Sequence, residues 1–247
     1  MNTVVIGLGI VIVILIYILY SYFSNLSNTL NPSASLNTPV PAVTSINSPS
    51  STRYAYGTWI FINSWDPSVP HTIFFRDRNL NVYLDKTPAL KVQVFMGPSA
   101  GGKWSDPITV TNSFPLQKWA HVIVSMDNEF ADIYLDGKLL TSHKFIDANN
   151  NRPSTPSKDA SSAGTPVYIG NPPPVTSAPA QNPAGQTYDA YVTKFKRWDQ
   201  GPVDPQTAWN TYMEGNGTSS ILGSLGAYGI NLTVLKNNVE NSKLVLF

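Results

Sequence analysis

Residues 119–145 read WAHVIVSMDNEFADIYLDGKLLTSHKF, and this stretch decides the fold. Residues 119–126 are apolar and β-branched, 127–130 break the run with polar groups, and 131–135 resume it with Ile133 and Leu135 on one face. Asp136-Gly137 then reverses the chain. An Asp-Gly pair between two such runs is a strong hairpin signal, because a type I′ turn needs φ > 0 at both central residues. Two successive hairpins make a meander, and a meander needs a second sheet to cover its apolar face.

Working outward, strands are expected at 54–65, 72–75, 81–84, 90–96, 108–111 and 188–198, each bounded by Gly, Pro, Asn or Asp. Strands this short, with no helical pattern between them, indicate an all-β antiparallel sandwich. One short helix is expected after Asp204-Pro205, an N-cap acid followed by proline at the first helical position, with Gly215 as its stop. Ala208, Trp209 and Tyr212 share a stripe of that helix, which would pack on the sandwich edge. Residues 147–165 and 171–187 read as long Pro/Ser/Asn-rich loops at opposite ends of the sandwich.

The first 52 residues are a different physical object. Every Lys, Arg, Asp and Glu lies at or beyond Arg53, as do all six tryptophans. Residues 4–23 carry no charge and long Ile/Val/Leu runs, enough to cross a hydrocarbon core about 30 Å thick at 1.5 Å per residue. They are expected to form a single-pass transmembrane anchor through Val4, Val5, Ile10, Val11, Ile14, Leu15, Ile18 and Leu19. A cleaved signal peptide fits less well, since there is no basic n-region and no small-x-small site. Residues 24–52, rich in Ser, Asn, Thr and Pro, read as a linker whose ends would lie roughly 30 Å apart as a flexible coil. Residues 215–247 form a C-terminal extension in which 228–235 and 243–247 look like two more strands, a terminal hairpin expected to pair with a sheet edge of the same molecule.

The W-x-H-V run at Trp119, His121 and Val122, the Y-x-D-G-K turn at Tyr134, Asp136, Gly137 and Lys138, and the Ile169-Gly170 strand end carry a resemblance. With 191–198 followed by 204–212, they are similar over residues 53–214 to the laminin-G-like, concanavalin A-like lectin and glucanase jelly-roll family. The resemblance implies a two-sheet jelly roll, a fold that hosts lectins, glycosidases and adhesion modules.

Chemistry is sparse. The glycosidase branch of that family carries Glu-x-Asp-x-Glu on one strand, and no such run occurs here. Asp127 and Glu129 have the i, i+2 spacing but sit in an expected turn. His71, His121 and His143 have no ligand spacing, and no Gly-x-Ser-x-Gly or phosphate-binding glycine loop is present. An enzyme is not expected. The chain has no cysteine, which excludes disulfides and thiolate metal sites. A net charge of +1 makes no case for nucleic acid.

Family lectins hold glycans with loop acids, an amide and an aromatic, often with calcium. On that resemblance Trp104, in a Gly-rich loop with Asp106 beside it, is the candidate carbohydrate-stacking platform. Asp66, Asp77 and Asp106 could hold Ca²⁺, although no D-x-D-x-D pattern supports it and no cofactor is expected. An anchor, a neutral tether and a sandwich without an active site also resemble the anchored jelly-roll proteins of large double-stranded DNA viruses. That resemblance implies a non-enzymatic minor capsid protein joining an internal virion membrane to a protein shell, with lipid and other structural proteins as partners. The alternative is a membrane-displayed, lectin-like receptor.

Overall fold

The computed structural model describes residues 7–9, 11–19, 29–98, 101–154, 165–170, 172, 185–217, 231–236 and 239–245. The remainder of the two expected long loops lies outside these residues.

The chain forms the expected all-β, antiparallel two-sheet sandwich. The first sheet is ordered β1 (Thr29–Ser35), β12 (Ala190–Trp198), β2 (Arg53–Ile62), β8 (Trp119–Asp127), β9 (Phe130–Leu135) and β10 (Lys138–Lys144). The second is β11 (Val167–Ile169), β3 (His71–Arg76), β4 (Leu80–Leu84), β5 (Leu90–Met96) and β6 (Lys103–Trp104), with β7 (Ile108–Thr111) also paired to β5.

Period-2 alternation builds the core between the sheets. Tyr54, Tyr56, Ile60 and Ile62 of β2 and Ala120, Val122, Val124 and Met126 of β8 face Leu90, Val92, Val94 and Met96 of β5 in one buried cluster. The meander forms as its residues dictate: Asp136 and Gly137 take φ of 49° and 74°, and the Asp136 carboxylate accepts the His121 backbone N–H at 2.9 Å. That bond ties the turn back to β8.

The helix Pro205–Met213 is capped by Asp204, whose carboxylate accepts the backbone N–H groups of Gln206 and Thr207. It lies over the outer face of the first sheet rather than at an edge. Tyr212 stacks on Trp59 with ring centroids 5.4 Å apart, and Ala208 and Val203 form a second, smaller core with Ala55, Ile123 and Tyr134. The reason is local: Gly137 leaves room there, since a Cβ would meet Trp209 and Tyr212 at 3.0 Å.

Two features of the N-terminal region differ from the sequence reading. Residues 29–35 lie in the stretch read as linker, yet they form β1, an edge strand on β12. Its TLNPSAS sequence sets Leu30, Pro32 and Ala34 at alternate positions and Leu30 packs on the core, but the run is short and broken by proline; Pro32 is exposed there and irregular pairing spans Thr29–Asn31. The chain continues across the side of the sandwich as a strap. Leu36 and Ile46 are buried, and Val43 bridges to Val167 of β11.

The expectation of a single-pass membrane protein is corrected. No helix among the described residues is long and apolar enough to cross a membrane. The helical residues 7–9 and 11–19 lie within a stretch of only about 20 Å at 1.5 Å per residue, against the roughly 30 Å a span requires. Of the expected anchor residues, Val11, Ile14, Leu15, Ile18 and Leu19 are exposed on this helix, and Val4, Val5 and Ile10 lie outside the described residues.

At the C-terminus β13 (Asn231–Lys236) and β14 (Val239–Val245) pair with each other as a separate two-stranded sheet. The two strands differ in bounds from those expected, and among the described residues neither joins a sandwich edge, contrary to the expected edge pairing.

Candidate functional site

The helix covers only part of the first sheet's outer face. Beside it, one register row runs Ser35–Tyr191–Phe61–Trp119 across β1, β12, β2 and β8. All four positions alternate with buried neighbours such as Ala190, Ile60, Ile62 and Ala120, so their side chains point outward. Tyr191 is 43% exposed and Phe61 and Trp119 are half-buried, with the last two rings 5.6 Å apart and tilted by 50°. Ser35, Tyr191 and Trp119 of the row, together with Ser33 and Thr193, border an open groove of about 240 Å³. At about 4.8 Å per strand, the row from β1 to β8 spans roughly 14 Å.

The next outward position along the same strands is polar. Asp189 follows the parity of Tyr191, Asn63 that of Phe61, and Asn37 that of Ser35. They meet: the Asp189 carboxylate accepts Asn63 Nδ2 at 2.6 Å, Asn37 Nδ2 at 3.2 Å and Ser64 Oγ at 3.3 Å. The Asn63 backbone N–H also donates to the Asp189 carbonyl at 2.9 Å. These hydrogen bonds, that from Asn63 foremost, hold the Asp189 carboxyl below the ordinary Asp range, so it is ionised at neutral pH. An aromatic strip therefore adjoins a fixed anionic acceptor flanked by two amides. Such a surface can stack the apolar face of a ring while accepting hydrogen bonds from its hydroxyls.

The residues singled out in the sequence lie elsewhere. Trp104, on β6, is half-buried on the second sheet, with its ring 5.5 Å from Phe95 and 5.8 Å from Phe75. Asp106 is exposed next to it, and its carbonyl accepts Ser105 Oγ. Asp66 caps its own turn through the Ser68 N–H, while Asp77 sits in the β3–β4 turn. Among the described residues no three His, Asp or Glu side chains are grouped to hold a metal ion.

The i, i+2 acids are ion-paired. Asp127 contacts Arg53 at 2.9 Å, and Glu129 contacts Lys144 at 3.2 Å and Arg152 at 3.3 Å. His121 is buried and stacked on Trp59 at 4.9 Å; burial first, then Lys196 and Lys194, pushes its pKa down to about 3. It is a neutral packing residue. His71 is buried between Trp65 and Tyr188, with Nε2 2.8 Å from the Asp66 carbonyl.

The Asp189 and Tyr191 site was missed because it is assembled from residues up to 152 positions apart. The local signal is outward aromatics, Trp59 and Phe61 at alternate positions of β2 and Tyr191 on β12, where a polar outer face would be expected.

A family model of the concanavalin A-like lectin/glucanases superfamily matches residues 36–200. No curated protein matches the chain. Among solved structures, domain 4 of an extracellular arabinanase from Geobacillus stearothermophilus, in complex with arabinotriose, is similar at 16% identity and TM-score 0.44, covering 70% of each chain. The binding domain of botulinum neurotoxin DC, in complex with rat synaptotagmin II, is similar at 13% identity and TM-score 0.46, covering 68% of this chain and 37% of that one. A Trypanosoma rangeli sialidase mutant is similar at 16% identity and TM-score 0.43; 66% of this chain aligns with 23% of the sialidase. The chain thus spans under a quarter of the sialidase and little more than a third of the neurotoxin domain.

Proposed function

The chain belongs to the concanavalin A-like lectin/glucanase superfamily, and from that premise we propose that it is a non-enzymatic binding module that takes a neutral oligosaccharide on the outer face of its first sheet. The observation that supports this reading is the Tyr191–Phe61–Trp119 row lying beside the Asp189 carboxylate and its amides. Aromatic faces stack on the C–H face of pyranose rings, and the carboxylate accepts from ring hydroxyls. The row is wide enough for a short oligosaccharide. An ionised Asp189 disfavours acidic sugars, because a second carboxylate would be brought beside the first.

A glycan screen of the full chain, with and without Ca²⁺, tests this. Saturable binding to neutral glycans, unchanged by chelator and lost in Trp119→Ala, is expected. A silent screen from folded protein overturns the reading.

A second reading is favoured by a different surface. Leu139 and Leu140 on the edge strand β10, with Phe130 on β9, are each about 45% exposed, which suits contact with another protein. This fits a structural protein docked to a shell, the finer role implied by the resemblance to viral jelly-roll proteins. Recovery of the chain in particles at fixed stoichiometry, lost in a Leu139→Lys/Leu140→Lys variant that keeps any sugar affinity, would support it.

A further inference from the structure

At the end of β2 opposite Asp189, two arginines enter the core from opposing sheets. Arg197, on β12, is the register partner of Tyr56 and follows the parity of buried Phe195. Arg76, at the end of β3, follows the parity of buried Phe74. They are 3% and 0% exposed, and neither has a carboxylate partner among the described residues. For buried guanidinium groups this is unusual, since buried charges are ordinarily paired.

Their partners are carbonyls of the strap. Arg197 donates through Nη1 to the Asn47 carbonyl and through Nη2 to that of Ser48 at 3.0 Å. Arg76 donates through Nη2 to the Pro49 carbonyl at 2.8 Å and through Nε to that of Thr165 at 3.1 Å. Three consecutive carbonyls thus bridge the two groups, aided by a left-handed Ser48 with φ of 45°. Because neighbouring Cα atoms are 3.8 Å apart, the two positive charges lie within roughly 10 Å of each other.

Carbonyl dipoles do not neutralise two charges, and the donors are not exhausted. Arg76 Nη1, Arg197 Nε and the Tyr56 hydroxyl are all buried without a hydrogen-bond partner among the described residues. Arg197 lies against Tyr54 and Tyr56 and Arg76 reaches the strap carbonyl next to the one Arg197 holds, so the four side chains are neighbours beneath the strap. The Arg197 guanidinium lies 5.7 and 5.6 Å from the rings of Tyr54 and Tyr56. Burial, the largest influence, keeps Tyr54 protonated far above its ordinary range, so no tyrosinate supplies the missing negative charge.

We propose that this compartment binds one small inorganic anion of the chloride class, held by Arg76 Nη1, Arg197 Nε and the Tyr56 hydroxyl beneath the strap at residues 46–49. A water could satisfy donors but would leave both charges unbalanced; an anion does both. The donors are fully buried, which favours a small anion over a phosphorylated or organic one. The site links strap to sandwich, because the same two arginines hold both the anion and the strap carbonyls.

Thermal melting of the full chain, with chloride exchanged for gluconate at constant ionic strength, tests the proposal. Above its dissociation constant each tenfold rise in chloride is expected to raise Tm by about 3 to 5 °C. Tyr56→Phe keeps the ring and removes one donor, so the same Tm rise should require higher chloride. Crystals grown in bromide should show an anomalous peak contacting both arginines. Equal Tm in chloride and gluconate, or no bromide peak, overturns it; the Tyr56→Phe and bromide readouts do not depend on an arginine variant that folds.

Discussion

Asn63 Nδ2 donates to Asp189 Oδ2 at 2.6 Å, across the paired ends of β2 and β12, and so fixes the acid one outward position beyond the Tyr191–Phe61 pair. The bond is the first cause of the lowered Asp189 pKa. A carboxyl whose folded pKa is depressed stabilises the fold above its unfolded pKa, and this is lost as pH falls through the folded value. Sugar affinity should therefore be flat from pH 8 to pH 5 and decline only below about pH 4, the ordinary Asp range. Asp189→Asn should weaken binding at neutral pH and remove this acid limb. Titration calorimetry across pH reads both; a fall in affinity between pH 8 and 6 would point to a different group.

Trp119→Ala and Tyr191→Ala should each weaken sugar binding about tenfold or more, the loss expected for a stacking aromatic worth ~1.4 kcal/mol. Tyr191 is 43% exposed, so its variant should melt within a few degrees of the parent. Trp104→Ala should do the reverse, because its ring packs against Phe75 and Phe95 on the other sheet. Binding isotherms paired with melting curves separate the two patterns.

Gly57 sits beneath Trp198. A Cβ there would come within 2.9 Å of the indole Cζ3 and 3.0 Å of Ile123 Cγ1. Gly57→Ala is expected to destabilise the domain by about 1–3 kcal/mol through overpacking. Trp198→Leu in the same chain should recover part of that loss, a positive coupling that a double-mutant cycle in urea would detect.

His121 titrates near pH 3 in the folded chain because it is buried beside two lysines, against about 6.5 when unfolded. The unfolded state then binds the extra proton between those values, so stability should drop by about 1.4 kcal/mol for each pH unit lowered within that window. His121→Phe should flatten the upper part of the slope, between pH 6.5 and 5, where carboxylates contribute least. Equal slopes in both proteins would show that His121 is not the group responsible.

The sequence by itself determined the sandwich. Alternation over 119–126 and 131–135 is a local property that selects one buried face, and Asp136-Gly137 reverses the chain because that pair tolerates φ > 0. The Asp204 cap and the helix after it were legible for the same reason: the acceptor and its donors lie within three residues. Tertiary structure alone decided the rest. β1 is a strand only because β12 offers it backbone partners, and the helix lies on the sheet face because Gly137 opens space there. The Tyr191–Phe61–Trp119 row and the meeting of Asn37 with Asp189 depend on register between strands distant in sequence. So does the pairing of Arg76 with Arg197 under one strap. Hydrophobic periodicity reports which face of a strand is buried; which strands become neighbours is settled only when the sheets assemble.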